Sequence, residues 1–196
     1  MTAILIYIKH HLPFIWAFVE YINSFLFRQL YKGRLKDVYN RYSQNRDDWK
    51  YSIRILKLED MNALSEFFIA QPEQSFKYFR PHQFDYRSLV KKNKDKSFIM
   101  IGVFHAEKII GYGFLRCFFN GKAFRGKIVD EEYQGQGVAK QIGSVLTDMA
   151  ALMHLRLFAT ISKDNVKSIS SSRAVNKIRI VKDLPDNYIY VEYLSK

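Results

Sequence analysis

Eight of the nine glycines lie between Gly102 and Gly143, which concentrates sharp turns and close backbone approach in about a fifth of the chain. The densest run, Gln134-Gly135-Gln136-Gly137-Val138-Ala139, follows the apolar stretch Lys127-Ile128-Val129. It precedes apolar residues at helical spacing: Val138, Ile142, Val145, Leu146 and Met149. That order predicts a strand, a glycine turn and a helix start in succession. The first-turn amides of such a helix have no partners within it, and its dipole favours negative charge there. The turn therefore suits a phosphate or pyrophosphate group.

Three phosphate-binding patterns compete for this run. A dinucleotide turn requires G-x-G-x-x-G after the first strand, but Lys140 holds the third glycine position and the run lies two-thirds along the chain. The triphosphate loop G-x-x-x-x-G-K-[ST] occurs nowhere in the sequence. The third pattern, [QR]-x-x-G-x-[GA], is met in full by Gln134, Gly137 and Ala139. Taken alone, the same residues also make a plain strand-to-helix turn.

The surrounding elements add to the third pattern. Ile53 to Leu58 reads as a strand running into a helix capped at Asp60. Phe98 to Phe104, a His105-Ala106-Glu107-Lys108 turn, and Ile109 to Leu115 read as a hairpin. Lys122 to Val129 and Leu155 to Ile161 read as further strands, and Asp164-Asn165-Val166-Lys167-Ser168 as a helix start. In this order and spacing, Ser52 to Tyr193 resembles the GNAT superfamily of acyl-CoA-dependent N-acetyltransferases. The resemblance implies an α/β fold, with a mixed, mostly antiparallel twisted sheet and flanking helices. It implies acetyl-CoA as acyl donor and a small-molecule primary amine as acceptor, attacked directly in a ternary complex. By the same resemblance, Gln134, Gly135, Gln136, Gly137, Val138 and Ala139 hold the pyrophosphate. Ile128 and Val129 pair with the pantetheine arm, and Asn165 and Ser168 line the far side of the cleft.

The chain departs from the family pattern at three places. Residues 122–128 hold no carboxylate where many members carry a catalytic Glu on the fourth strand. Seven residues after Asn165, where many carry a Tyr acid, stands Ser172, and the usual Gly-Phe reads Asn176-Lys177. Two weak catalytic candidates remain. Glu131 lies between Asp130 and Glu132, three adjacent carboxylates just before the glycine turn; their bland reading is a solvated turn. Ser172 is a poor acid, and Ser170-Ser171-Ser172 also reads as a polar helix face. An alternative follows from these departures: a catalytically degenerate module that binds CoA or a partner. Cys117, set among Phe114, Phe118 and Phe119, reads as a small packed hydrophobe. The five histidines show no metal-ligand spacing, so no metal is expected.

Residues 51–196 form the expected domain, and residues 1–50 an amphipathic helical extension with a polar linker from Tyr39 to Lys50. On a helical wheel Phe14, Phe18, Ile22 and Phe25 fall together beside Ile15, Val19 and Leu26. Glu20, Asn23, Ser24 and Arg28 fall opposite, with Trp16 and Phe27 intruding on that polar side. Lys9, His10, His11 and Glu20 interrupt the apolar run, so a bilayer span is not expected. Nor is a cleavable leader, since no basic residue precedes the apolar start and no small-residue cleavage site follows. Arg28, Lys32, Arg34 and Lys36 follow the apolar face, as in a helix lying on an anionic leaflet. Two readings stay open: peripheral membrane contact through residues 4–36, or packing on the domain or on a second copy in a homodimer.

A net charge of +12 attracts CoA phosphates, nucleotide sugars and anionic lipid alike. Nucleic acid is not expected, because the basic residues are spread out and form no binding motif. One cysteine excludes an internal disulfide and fits a cytoplasmic setting. An amino sugar of an envelope polysaccharide precursor is the acceptor these features suggest. Gln71 to Lys96, rich in aromatic and basic residues, stands where the resembled family builds its acceptor wall; core packing accounts for most of these aromatics and stacking on a sugar face is the other reading.

Overall fold

The computed structural model describes residues 12–44 and 50–194; what was expected of residues 4–11 and of the linker at 45–49 lies outside them. Seven strands form one sheet: β1 (Ser52–Ile55), β2 (Phe98–His105), β3 (Lys108–Phe118), β4 (Lys122–Val129), β5 (Arg156–Ser162), β6 (Lys177–Leu184) and β7 (Tyr188–Leu194). Their order is β1-β2-β3-β4-β5-β7-β6. Every pairing is antiparallel except β4 with β5. The hairpin expected around His105 is present, with Ala106 at φ 51° in its turn. Asp60 heads the helix α2 (Met61–Ala70) without capping it. Its carboxylate instead accepts from the Lys57 amide (2.6 Å) and from both terminal nitrogens of Arg54 (2.6 and 2.7 Å), fixing the preceding turn to β1.

Alternation along the strands builds two cores. Ile99, Ile101 and Val103 of β2 with Ile110 and Leu115 of β3 face one side. There they meet α4 (Val138–Leu152) and the C-terminal half of α1 (Pro13–Tyr42). Phe98 and Met100 with Tyr112 and Phe114 face the other side, under α2 and α3 (Tyr86–Lys94). The aromatic residues of 71–96 go mainly into this second core: Phe84 stacks on Phe68 at 4.1 Å, and Phe79 lies 6.3 Å from the Tyr112 ring. α4 comes close to β3 because two glycines underlie it. A Cβ on Gly113 would lie 2.5 Å from Ile142 Cγ2, and one on Gly111 3.0 Å from Val138 Cγ1. The last helix, α5 (Val166–Val175), packs beside α4.

α1 differs from expectation in length and in orientation. It continues through Tyr42, four residues into the expected linker, because Val38 and Tyr42 are buried in the first core. The apolar face of its N-terminal half points outward, with Phe14 84% and Phe18 62% exposed. The side expected to be polar meets the domain. Asn23 donates to the Cys117 carbonyl (3.0 Å) and accepts from the Phe119 amide (3.2 Å). Ser24 donates to Asp95 (2.6 Å), and Glu20 pairs with Arg116 (3.1 Å). The domain offers backbone and charged groups at that edge, so polar residues satisfy it better than apolar ones. Phe27 falls on this inner side and is fully buried, stacked on Tyr31. Among the described residues no helix is long and apolar enough to cross a membrane.

Candidate functional site

β4 and β5 pair only at Lys122–Arg156, Ala123–Leu157 and Phe124–Phe158. From Arg125 to Val129, β4 keeps its β3 partner but has no partner on the β5 side. The strands thus part into a cleft with its closed end at Phe124. The open stretch of β4 spans about 13 Å at about 3.3 Å per residue. Ile128 and Val129 stand near the mouth, with one backbone edge unpaired.

The glycine turn sits at that mouth. Gly135 (φ 77°) and Gly137 (φ 87°) take left-handed conformations that a side chain would strain, and a Cβ at either would meet open space. Gly137 heads α4 and no side chain caps it. By contrast Asp85 caps α3 by accepting from the Ser88 amide (3.0 Å), and Asn165 caps α5 from Ser168 (3.0 Å). The turn is tied down on both flanks. Gln136 Oε1 accepts from the Tyr51 hydroxyl (2.6 Å) and Lys50 Nζ (3.1 Å), and Gln134 Oε1 from Lys167 Nζ (2.9 Å). Asp130 pairs with Lys108 (3.2 Å), and its Oδ1 accepts from the Glu132 amide (3.1 Å). Val138 is buried under the turn, while Ala139 is partly exposed.

The remaining expected residues divide. Asn165 and Ser168 come together at the start of α5, bonded to each other as a helix cap. Glu131 is exposed on the short turn before Gln134. Ser172, read as part of a polar surface, is 1% exposed, and its hydroxyl lies 3.3 Å from that of Tyr193. It faces inward because α5 turns this side onto the end of β7.

Three groups near the cleft were not picked out from the sequence. Arg125 and Lys127, two residues apart on β4, both point under α4. Arg125 Nη1 donates to the Gly143 carbonyl (3.0 Å) and to Thr147 Oγ1 (2.9 Å), and its guanidinium lies 3.5 Å from the centre of the Tyr193 ring. Lys127 Nζ donates to the Ala139 carbonyl (2.9 Å). Burial, reinforced by the Arg125 charge, brings the Lys127 amine down to about 7. The period-2 spacing of these cations was a legible signal; that a helix covers them was not.

The third group is His82, on the opposite face. Its Nδ1 lies 2.7 Å from the Gln83 carbonyl and so donates to it, leaving Nε2 to accept from the Tyr112 hydroxyl at 2.9 Å. Burial lowers its pKa. His82 lines a groove of about 560 Å³ together with Trp16 and Glu20 of α1, Lys91, Lys92, Arg116, Phe114 and Phe124. Phe124 carries this groove to the closed end of the cleft. Among the described residues no cluster of His, Cys, Asp and Glu has the makings of a metal site.

Solved structures share this architecture. The GNAT domain of S. lividans PAT aligns with a TM-score of 0.64 at 16% identity, covering 76% of this chain and 93% of its own. The PaiA N-acetyltransferase of Thermoplasma acidophilum, in complex with coenzyme A, aligns at 0.63 and 14% identity, covering 74% and 99%. The ribosomal-protein-S5-alanine acetyltransferase of Vibrio fischeri aligns at 0.62 and 20% identity, covering 78% and 97%. These likenesses concern the fold. No curated protein matches by sequence. The sequence model of the Acetyltransferase (GNAT) family matches residues 61–171, from α2 through the glycine turn into α5. With more than half of its length matched, the chain belongs to the GNAT family and is an N-acetyltransferase.

Proposed function

We propose that the chain transfers an acetyl group from acetyl-CoA to a primary amine, with the donor laid in the cleft between β4 and β5. The observation that carries this reading is the parting of those strands beside an uncapped, glycine-headed helix. The residues present fit the donor: Gly135 and Gly137 leave open space where side chains would crowd a pyrophosphate. The amides of residues 134–139 and the dipole of α4 favour an anion. The free edge of Ile128 and Val129 accepts an amide-bearing arm as an added strand. A thioester supplies an acyl carbon open to attack by a neutral amine, with the thiolate leaving. The Thermoplasma relative, crystallised with coenzyme A, supports the same donor here.

The acceptor enters from the opposite face, through the groove that ends at Phe124. Its aromatic lining suits the face of a ring, while the Glu20 carboxylate in it is held by Arg116 (3.1 Å) and Lys92 (3.7 Å). That lining supports a cyclic amine such as an amino sugar. On that face both ring nitrogens of His82 are engaged, Nδ1 by the Gln83 carbonyl and Nε2 by the Tyr112 hydroxyl, so His82 reaches a substrate proton only through that phenol. Ser172 beside Tyr193 offers hydroxyls on the other face. Calorimetry with acetyl-CoA and free CoA tests the donor site. Saturable binding that is lost in Gly137→Glu is expected; no binding at millimolar cofactor overturns the reading.

The outward face of α1 supports a second element of function, contact with an anionic membrane surface. Phe14, Phe18, Tyr21 and Phe25 form one exposed stripe, and Arg28, Lys32 and Lys36 continue it along the same face. Aromatic residues followed by cations on one face suit the interface of an anionic leaflet.

A further inference from the structure

Among the described residues Arg125 has no carboxylate partner; its guanidinium rests on the Tyr193 ring. Arg125 is 6% exposed, yet among the described residues it makes no ion pair, and neither does Lys127 beside it. Its Nη1 is satisfied twice, whereas Nη2 is buried with no partner. Asn176, 2% exposed, is in the same condition. Its Oδ1 lies 3.1 Å from Thr147 Oγ1, whose single proton it shares with the Gly143 carbonyl (2.8 Å), and its Nδ2 is buried without a partner. Thr147 thus joins the two residues, since it also accepts from Arg125. Only one other buried side-chain atom among the described residues lacks a partner. Both orphans at this spot are donors, one belongs to a cation, and no carboxylate answers either.

A buried guanidinium without a counter-charge is costly, and so is a buried amide donor left unbonded. A two-oxygen anion relieves both at once, because a carboxylate takes a bidentate contact from Arg and has lone pairs left for an amide. The place is equally informative. Arg125 is the first residue of β4 beyond its pairing with β5, at the closed end of the cleft. A thioester arm running along Val129 and Ile128 from the glycine turn directs its acyl end toward that residue. Gly143 lets α4 lie close over these cations, since a Cβ on it would already touch Lys127 Nζ (3.4 Å), Val175 (3.6 Å) and Arg125 Nη1 (3.9 Å).

We propose that the cleft also takes acyl donors whose chain ends in a carboxylate, malonyl and succinyl thioesters of CoA, with Arg125 and Asn176 holding that carboxylate. The proposal rests on the CoA reading above and extends the donor beyond acetyl. The transfer itself is unchanged. The amine nitrogen forms a bond to the thioester carbon, the carbon–sulfur bond breaks, and the proton shed by the amine balances the thiolate. The distal carboxylate stays ionised and takes no part.

Calorimetry on the full chain with CoA, acetyl-CoA, butyryl-CoA and succinyl-CoA tests this. Butyryl-CoA controls for chain length because it is the neutral four-carbon counterpart. Succinyl-CoA is expected to bind at least ten-fold more tightly than butyryl-CoA, with the ratio falling to near one in Arg125→Met and substantially in Asn176→Leu. Equal affinity for the two esters in the wild-type chain overturns the proposal even if both variants fail to fold. If CoA and acetyl-CoA bind while succinyl-CoA is refused, the carboxylate site falls and the acetyl reading stands. If no CoA compound binds, both readings fall together.

Discussion

A primary amine held under α4, with Arg125 as its charged neighbour, titrates near pH 7 in Lys127 instead of near 10.5. Between those values the unfolded chain binds a proton that the folded chain does not, so this residue's contribution favours folding increasingly as pH rises from 7 to 10.5. Below pH 7 the amine is charged in both states and the cost of burying it is felt in full. Lys127→Met is therefore expected to raise the melting temperature relative to wild type at pH 6.5, with the gain shrinking toward pH 10. Paired thermal melts across that range check it, and a pH-independent difference would remove the buried-amine account. The residues of the cleft were unequally legible. Gln134, Gly137 and Ala139 fit a pattern because backbone geometry at a phosphate turn demands particular residues at fixed spacing. Arg125 and Asn176 fit none, because their meaning lies in the partners they lack, and sequence does not display unpaired groups. The burial of Ser172 was hidden for a related reason: three serines in a row give no clue to which one turns inward.

At the level of elements, the seat of α4 on β3 depends on two missing side chains. Gly113→Val forces a Cβ into Ile142 and pushes the helix off the sheet, at an expected cost of about 1–3 kcal/mol. The same displacement moves the turn at the head of α4, so affinity for CoA is expected to fall along with stability. Denaturant unfolding and calorimetry on one variant read both, and a destabilised variant with wild-type affinity would uncouple helix seating from the turn. α1 divides into two halves with opposite sensitivities. Phe27→Ala is expected to cost about 3–5 kcal/mol, as for other buried aromatics, whereas Phe18→Ala should stay within about 0.5 kcal/mol. Equal losses in the two variants would contradict the outward orientation. The strands were readable as apolar runs bounded by turn residues, and α4 by the helical spacing of its buried residues. The orientation of α1 was not. A helical wheel assigns an apolar face but not the surface it meets, and here the domain presents amides, Asp95 and Arg116 to the helix.

For the whole molecule, the outward stripe of α1 and its trailing cations suit the anionic membrane surface proposed above. Full-length protein is expected to sediment with vesicles containing phosphatidylserine, and less so as salt rises. Replacing Phe14, Phe18 and Phe25 with Ser should abolish sedimentation while leaving the melting temperature in place. Retained binding would assign the attraction to net charge alone. The sheet carries a different consequence at this scale. Its two wings, β1 to β4 and β5 to β7, are stitched by three residue pairs, with α4 laid across the seam. A sheet so lightly joined behaves as two leaves on a spine, and the C-terminal leaf is the one positioned to breathe. Whatever lies along the free edge of β4 acts as a clasp between them. Occupancy should therefore slow amide exchange in Ala159 to Ser162 and in α5, across the cleft from the free edge of β4.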